Sequence, residues 1–425
     1  MITAADELFY LNRIEDVNSN KGIKFLHRAA SPGSHCPLHT ALATVKRMGG
    51  ISSLVVGMPE CGYYSRFVMG SPYGRNQELH YTYEMDSNEV VFGCREGLME
   101  ALRQMDGEGA EIIMIIATCI PELIGEDIEA VVKELQGDVT AKLLSINVAH
   151  FKRNGYQAGF FNTLARLLDL APETKNIKKA PVINILGSCA TGEMGLINGD
   201  LVDRGFIMNL LDMNLSLDKI QDALYAKISI VMTPGMMKFA RALNERYGIP
   251  YLCLHNIYSG EDITKAYKMI MNRFGLKFDD RLRELQESLH LLEEKCKMVF
   301  GSKKFIASNP ELDVIPVTAY LSSLGMIPVL LHVEEFYEEN AEFCSSITGC
   351  GVNPYVCYIS DRSRLVEVVC EEDISLSLGN CEGMEQNKII SDFELNRMLE
   401  TGGYYRSVML LEAIIDRLES TGKGK

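Results

Sequence analysis

Residues 111–135 read EIIMIIATCIPELIGEDIEAVVKEL, and two different periodicities meet inside them. The run Glu111–Ala117 is apolar and rich in β-branched isoleucine, which suits a buried strand and is too short for a helix. From Gly125 to Leu135 the apolar residues Ile128, Val131, Val132 and Leu135 recur at helical spacing. Between them stand Cys119, Pro121 and Gly125, in a segment that reads as a loop. The stretch is strand, loop, helix, which is half of a βαβ unit.

The pattern repeats outward in both directions. Strand-like runs are Ser52–Gly57, Lys142–Val148, Pro181–Leu186, Ile228–Thr233, Lys304–Ala307, Pro328–His332 and Ile374–Leu378. Helical runs include Pro37–Met48, Glu96–Met105, Phe160–Asp169, Gly235–Tyr247, Thr264–Arg273, Leu282–Val299, Pro316–Leu324 and Tyr405–Leu418. Alternation of this kind predicts an α/β protein with parallel sheets, whose ligands bind beyond the carboxyl ends of the strands. A polar, proline-containing break at Ala171–Lys179 and the segments Gly275–Arg281 and Gly301–Lys304 divide the chain. The expected organisation is an N-terminal arm (1–29), an α/β domain (30–175), a second (176–275) and a third with a C-terminal helix (276–425). They form three Rossmann-like parallel-sheet domains around a central cleft.

The chain has 425 residues and a net charge of −15. That charge argues against nucleic acid, which demands a basic footprint, and against an anionic membrane surface. No apolar run reaches the length of a spanning helix, and the start, MITAADELFYLNRIED, has no signal-peptide pattern, so a cytoplasmic protein is expected. Twelve cysteines are many for a reducing compartment where disulfides are a poor explanation. Cys189, Cys296, Cys357 and Cys370 lie in or beside apolar runs and read as small buried hydrophobes.

Cys36, Cys61 and Cys119 differ from those four. Each stands in a loop with glycine or proline nearby, two of them at strand ends. Thiolates are the ligands that iron–sulfur clusters require. The chain has no compact C-x-x-C signature, so spacing alone leaves three ligands and three unrelated loop cysteines both open. Cys253 and His255, in YLCLHNIYSG, and Cys381, in SLGNCEG, follow later strands and are candidate catalytic residues or core residues. Cys344, Cys350 and Cys357 are spaced six and seven apart, a second candidate metal set. His35 and His39 flank Cys36 and could support it from behind. The loop GSCATGEMG at Gly187 begins like a phosphate loop but places Glu193 where a phosphate-binding lysine would stand, so it should not bind ATP.

Three motifs resemble the nitrogenase component 1 superfamily: SHCPLHTALATVKRMGGISSLVVGMPECGYYSRF (34–67), EMDSNEVVFGCREGL (84–98) and TCIPELIGEDIEAV (118–131). That superfamily includes the nitrogenase α and β subunits, their cofactor-assembly scaffold, dark-operative protochlorophyllide reductase and nickel-sirohydrochlorin reductive cyclase. VAHFKRNGYQAGF, MTPGMMKFARALNERYGIPYL, SSLGMIPVLLHV and GGYYRSVMLLEAI extend the resemblance across most of residues 30–418. The resemblance implies that Cys36, Cys61 and Cys119 ligate an iron–sulfur cluster at a subunit interface, either [4Fe-4S] or the [8Fe-7S] P-cluster type. Cys94 stands where the family usually has glycine, making it a candidate fourth ligand or a packed thiol. The implied partners are an ATP-dependent iron protein and a homologous or identical component 1-type subunit, giving a dimer or heterotetramer. The family's cofactor cysteine falls at Thr233, and the C-terminal third holds only His332, in an apolar strand. Both ligands of the iron–molybdenum cofactor are missing, which argues against dinitrogen reduction by this chain. The expected function is an oxidoreductase subunit passing electrons to a substrate or a second metallocofactor. The alternatives are a scaffold for metallocluster assembly and a tetrapyrrole-reducing subunit.

Overall fold

The structure, a computed structural model, describes residues 8, 10–26, 36–74, 76–152, 157–171, 179–187, 193–212, 215–359, 362, 365 and 373–422. His35, Cys189, Cys370 and most of the loop after Gly187 lie outside them.

Two short strands open the chain, β1 (Asn12–Arg13) and β2 (Lys24–Phe25). The first sheet contains β3 (Ser52–Gly57), β4 (His80–Glu84), β5 (Ile112–Ala117) and β6 (Lys142–Asn147), all parallel, in the order β4-β3-β5-β6. Its helices are α1 (Pro37–Met48), α2 (Pro59–Met69), α3 (Ser87–Phe92), α4 (Arg95–Gly107), α5 (Cys119–Ile124), α6 (Ile128–Leu135) and α7 (Ala158–Leu167). The second sheet, β7 (Val182–Leu186), β8 (Ile207–Leu211), β9 (Ile228–Val231) and β10 (Tyr251–Cys253), is also parallel, in the order β10-β9-β7-β8. With it go α8 (Glu193–Asp203), α9 (Leu217–Ala223), α10 (Met237–Tyr247) and α11 (Gly260–Phe274).

The third sheet takes β11 (Lys304–Ala307), β12 (Ile327–His332), β13 (Tyr355–Tyr358), β14 (Leu376–Leu378) and β15 (Ile389–Ile390) in the order β13-β12-β11-β14-β15. The N-terminal strands complete it at β13: β1 antiparallel and β2 parallel. Its helices are α12 (Asp280–Phe300), α13 (Val314–Ser323), α14 (Asn340–Gly349), α15 (Asp392–Leu399) and α16 (Gly403–Gly422). In every sheet the first main strand lies inside, β3 between β4 and β5, β7 between β8 and β9, and β11 between β12 and β14, so the strand order reverses there. Such a reversal opens a crevice at the carboxyl ends of the strands. Among the described residues no helix is long and apolar enough to cross a membrane.

The structure sharpens the loop assignments of the sequence. Cys61 is not in a loop; it is the third residue of α2. Pro59 stands at the first helical position, where its missing N–H costs nothing, and so starts the helix early. The helix expected from Gly125 begins at Ile128, because the Asp127 carboxylate accepts from the Ala130 amide at 2.9 Å. The preceding turn winds into a helix of its own, α5, with Cys119 as its first residue.

Helices α1 and α7 pack backbone to backbone. A Cβ on Gly159 would lie 1.9 Å from the Pro37 carbonyl oxygen and 2.8 Å from the Ala41 nitrogen. Neither backbone group can step aside. Gly159→Ala should therefore cost roughly 1–3 kcal/mol, as overpacking does, and lower the urea midpoint accordingly. The same variant should change the reactivity of Cys36, one residue before Pro37, towards an alkylating reagent.

Candidate cluster thiols and the central cavity

Cys61 and Cys119 follow β3 and β5, the two strands on either side of the first sheet's reversal. Between them stands Thr118, whose hydroxyl donates to the Val56 carbonyl at 2.8 Å. The Cys61 thiol reaches the same hydroxyl at 3.5 Å. Gly57 has no room for a side chain: its Cβ would meet Thr118 Oγ1 at 2.1 Å and Cys61 Sγ at 3.2 Å.

The third thiol comes from α1, where Cys36 is the N-cap residue. Burial pushes it up to about 11, opposed by a hydrogen bond from the Leu38 amide and reinforced by the charges of Cys119 and Cys61. Cys119 is likewise raised by burial and by Cys61, against backbone hydrogen bonds from His150 and Phe151. The His150 ring adds a contact, Nδ1 to Sγ, of 2.8 Å. Three thiols from three segments are thus near enough to repel one another as anions. All ten described cysteines are free thiols.

Among the described residues, no three His, Cys, Asp or Glu side chains converge on a point that would hold a single metal ion. A single ion draws its sulfur ligands to about 2.3 Å. An iron–sulfur cluster bridges thiolates across a wider gap, and cationic iron removes their mutual repulsion. The half-buried triad, whose thiols would repel one another once ionised, fits that group. In this arrangement Cys36, Cys61 and Cys119 would hold it.

The other cysteines lie apart. Cys94 is buried in a separate apolar cluster beneath α4, and its thiol is pushed up to about 12 by burial and by Glu126, which also accepts from the Cys94 amide at 2.7 Å. Cys344, Cys350 and Cys357 do not come together: Cys344 and Cys357 sit in different apolar clusters and Cys350 is exposed. Cys253 packs its sulfur 3.2 Å from that of Met237, and Cys381 is buried beside the carbonyl of Glu382. His39 is half-buried, its pKa lowered by that burial, with its ring 6.2 Å from that of Tyr64. His332 is buried; its Nδ1 accepts from the Ile359 amide at 2.8 Å, so Nε2 carries the proton and faces Glu334 at 3.1 Å.

A cavity of about 440 Å³ opens where the reversal of the second sheet meets α1 and α7. Thr40, Ala43, Thr44 and Arg47 of α1 form one wall; Gly187 and Thr233, after β7 and β9, form another. A second chamber of about 290 Å³ shares Thr233 and Glu311 with it and is lined by His255, Tyr258, Asp313 and Arg406. His255 was legible as a strand-end histidine. Asp313 and Arg406 were not singled out, although Arg406 is a lone cation at the head of an apolar helix, which is a usable signal.

Burial lifts the Asp313 carboxyl to about 7, aided by Glu339 and opposed by hydrogen bonding from Asn340 and by Arg406. The native state therefore keeps a proton that the unfolded chain releases near its ordinary pKa of 3.8. Stability from this group is present at low pH and falls as pH rises from about 4 to 7, because the folded state binds more protons across that window. Melting temperature should fall from pH 5 to pH 7 in the native protein, and Asp313→Asn should flatten that slope.

The family model for nitrogenase component 1 type oxidoreductases matches residues 36–413. The nitrogenase iron-molybdenum cofactor biosynthesis protein NifE of Clostridium pasteurianum is 25% identical over 328 residues, covering 71% of this chain and 70% of that protein. The nitrogenase molybdenum-iron protein alpha chain of Methanosarcina barkeri is 25% identical over 264 residues, covering 59% and 49%. In architecture the chain is similar to nitrogenase Cp1 at pH 6.5, with a TM-score of 0.64 at 14% identity over 93% of this chain and 94% of that one. The chain belongs to the nitrogenase component 1 type oxidoreductase family.

Proposed function

We propose that this chain is an iron–sulfur-cluster-binding subunit of a nitrogenase-like, ATP-dependent reductase. One observation carries the reading: helix α1 holds Cys36 at its N-cap and lines the 440 Å³ cavity with Thr40, one turn later. At 1.5 Å per residue the two are about 6 Å apart along the axis. A cluster at the triad supplies single electrons when bound. Residues of this chain then do the rest: α1 fixes the distance, and Phe160, Phe161 and Met236 give the cavity an apolar wall.

The partner surface lies beside the thiols. Tyr63, Tyr64 and Phe67 on α2, Val91 and Phe92 on α3 and Leu123 on α5 are large apolar side chains left exposed. A component 1-type subunit, homologous or identical, would cover this face and shield the cluster, and an iron protein would deliver electrons from outside. Cytoplasmic residence goes with that partnership.

A second reading is favoured by Thr233. A hydroxyl is a poor ligand for soft iron where the family's cofactor thiol stands, so a metallocluster in the cavity would be held loosely and could leave. That is what a cofactor-assembly scaffold does, and several NifE proteins are among the relatives. A tetrapyrrole, the third reading, would have to occupy both chambers at once.

Anaerobically purified protein should contain iron and acid-labile sulfide and give an electron paramagnetic resonance signal. Cys61→Ser and Cys119→Ser should lose both, and Cys94→Ser should retain them. Iron-free wild-type protein, or a Cys61→Ser variant with its full iron content, overturns the assignment. With a matching iron protein and ATP, a reductase turns over substrate, whereas a scaffold releases a cluster and no reduced product.

A further inference from the structure

We propose that the open edge of the first sheet, along β4, takes up an extended segment of a partner protein as a fifth strand, and that this segment carries lysine or arginine on the side facing α4. The proposal does not rest on the cluster assignment.

β4 is the outermost strand of its sheet and pairs with β3 alone. The Ser53 amide donates to the Leu79 carbonyl at 2.8 Å, and the Met85 amide to the Gly57 carbonyl at 2.9 Å. The odd-numbered residues of this stretch therefore turn their backbone groups towards β3. His80, Thr82 and Glu84 turn theirs outward.

The edge already accepts the start of another strand. Residues 72–74 run antiparallel to it, with Tyr73 opposite Leu79. The His80 amide donates to the Pro72 carbonyl at 2.8 Å, and the Gly74 amide to that of Glu78 at 2.7 Å. Pro72 has no N–H to return the bond, so pairing stops there. Among the described residues the His80 carbonyl, both backbone groups of Thr82 and the Glu84 amide are left without a partner. These four groups are a template for a further extended chain, in either direction.

A groove of about 890 Å³ follows this edge, and all five residues of β4 line it. Its two walls are fixed by glycine contacts. A Cβ on Gly62 of α2 would lie 3.0 Å from Thr82 Cγ2 and 2.9 Å from Glu84 Oε1. One on Gly97 of α4 would lie 1.8 Å from the Tyr83 hydroxyl oxygen. Side chains alternate along a strand, so α2 stands over Thr82 and Glu84, and α4 over Tyr81 and Tyr83.

The α4 wall is acidic. Glu100, Ala101 and Gln104 follow Gly97 at helical spacing and line the groove. Glu100 forms no ion pair among the described residues. The Tyr81 hydroxyl donates to Glu108, at the end of the same helix. The two arginines of α4 are engaged elsewhere, Arg95 with Glu134 and Arg103 with Asp138 at 3.8 Å. On the α2 wall the lining cation is Arg66. Alternate residues of an added strand thus meet unlike walls, and those facing α4 meet carboxylates that lack a cation.

The position of the groove favours a segment of a subunit over a free peptide. Ser65, Arg66 and Met69 line it from α2, the helix that also exposes Tyr63 and Phe67. A subunit covering those aromatic rings lies within one helix diameter, about 10 Å, of the open edge.

The test is fluorescence anisotropy on the full-length protein with labelled pentapeptides. Val-Lys-Val-Lys-Val, capped at both ends, should bind at least tenfold more tightly than Val-Glu-Val-Glu-Val. N-methylation of one alternate set of its amides should abolish binding, and N-methylation of the other set should not. Thr82→Pro removes an N–H that points away from β3, so it should melt close to the native protein and bind the lysine peptide at least tenfold more weakly. Glu100→Lys, on an exposed helix face, should narrow or reverse the preference for lysine over glutamate. No binding by the lysine peptide, equal binding of both peptides, equal effects of the two methylation patterns, or unchanged binding in both variants would overturn the proposal.

Discussion

Each sheet of this protein depends on one crowded contact at the place where its strand order reverses. A Cβ on Gly57 would meet the Thr118 hydroxyl at 2.1 Å; one on Gly187 would meet the Thr233 hydroxyl at 2.2 Å; one on Gly379 would meet the Ser308 hydroxyl at 2.7 Å. In every case a glycine after one central strand faces a hydroxyl after its neighbour. The glycine lets the two strand ends converge, and the hydroxyl ties one of them down, as Thr118 does on the Val56 carbonyl and Ser308 on that of Asn380. Crevices of this kind are built by backbone approach, so a single methyl group closes them. The thiols sit at the first crevice, the larger chamber opens at the second, and Glu311 and Asp313 project from the segment that follows β11 at the third.

The electrostatics of the thiol triad are a balance between opposed effects. Burial favours the neutral thiol at Cys36 and Cys119, and each nearby thiolate would add to that bias. Helix N-termini and backbone amides favour the anion: Leu38 serves Cys36, and His150 and Phe151 serve Cys119. Burial wins in the metal-free chain. On the proposed reading iron would reverse the outcome, because thiolates bind it only after losing their protons. Loading would then be a competition between protons and metal, and the donated amides would lower the cost of the metal-bound state.

Much of this was legible in the sequence. Strands such as Ser52–Gly57 and Lys304–Ala307 are buried through most of their length, so their apolar runs stand out. β4 did not stand out. Its residues HYTYE are half-exposed at the edge of the sheet, and edge position removes the hydrophobic pattern that reveals a strand. The N-terminal strands β1 and β2 have two residues each and exist only because β13 offers them partners. The cysteines could be read as candidates, yet their convergence depends on strand order, which no local pattern encodes. His150 beside Cys119 and Arg406 beside His255 were invisible for the same reason. The pairs are 31 and 151 residues apart in sequence.

The two sites also constrain one another through α1 and α7. Cys36 caps α1, whose next turns line the larger chamber, and α7 contributes Phe160 and Phe161 to the same chamber. These helices touch through Gly159, which faces the Pro37 carbonyl oxygen and the Ala41 nitrogen as well as the Thr40 hydroxyl, so the backbones themselves leave little slack. Motion of either helix would then move Cys36 and a cavity wall together. Just before α7, Gln157 donates to Glu311, which borders both chambers. Rigid coupling of that sort is what the proposed reading needs, in which an electron donor and its acceptor stay at a fixed short distance while the contents of the cavity change.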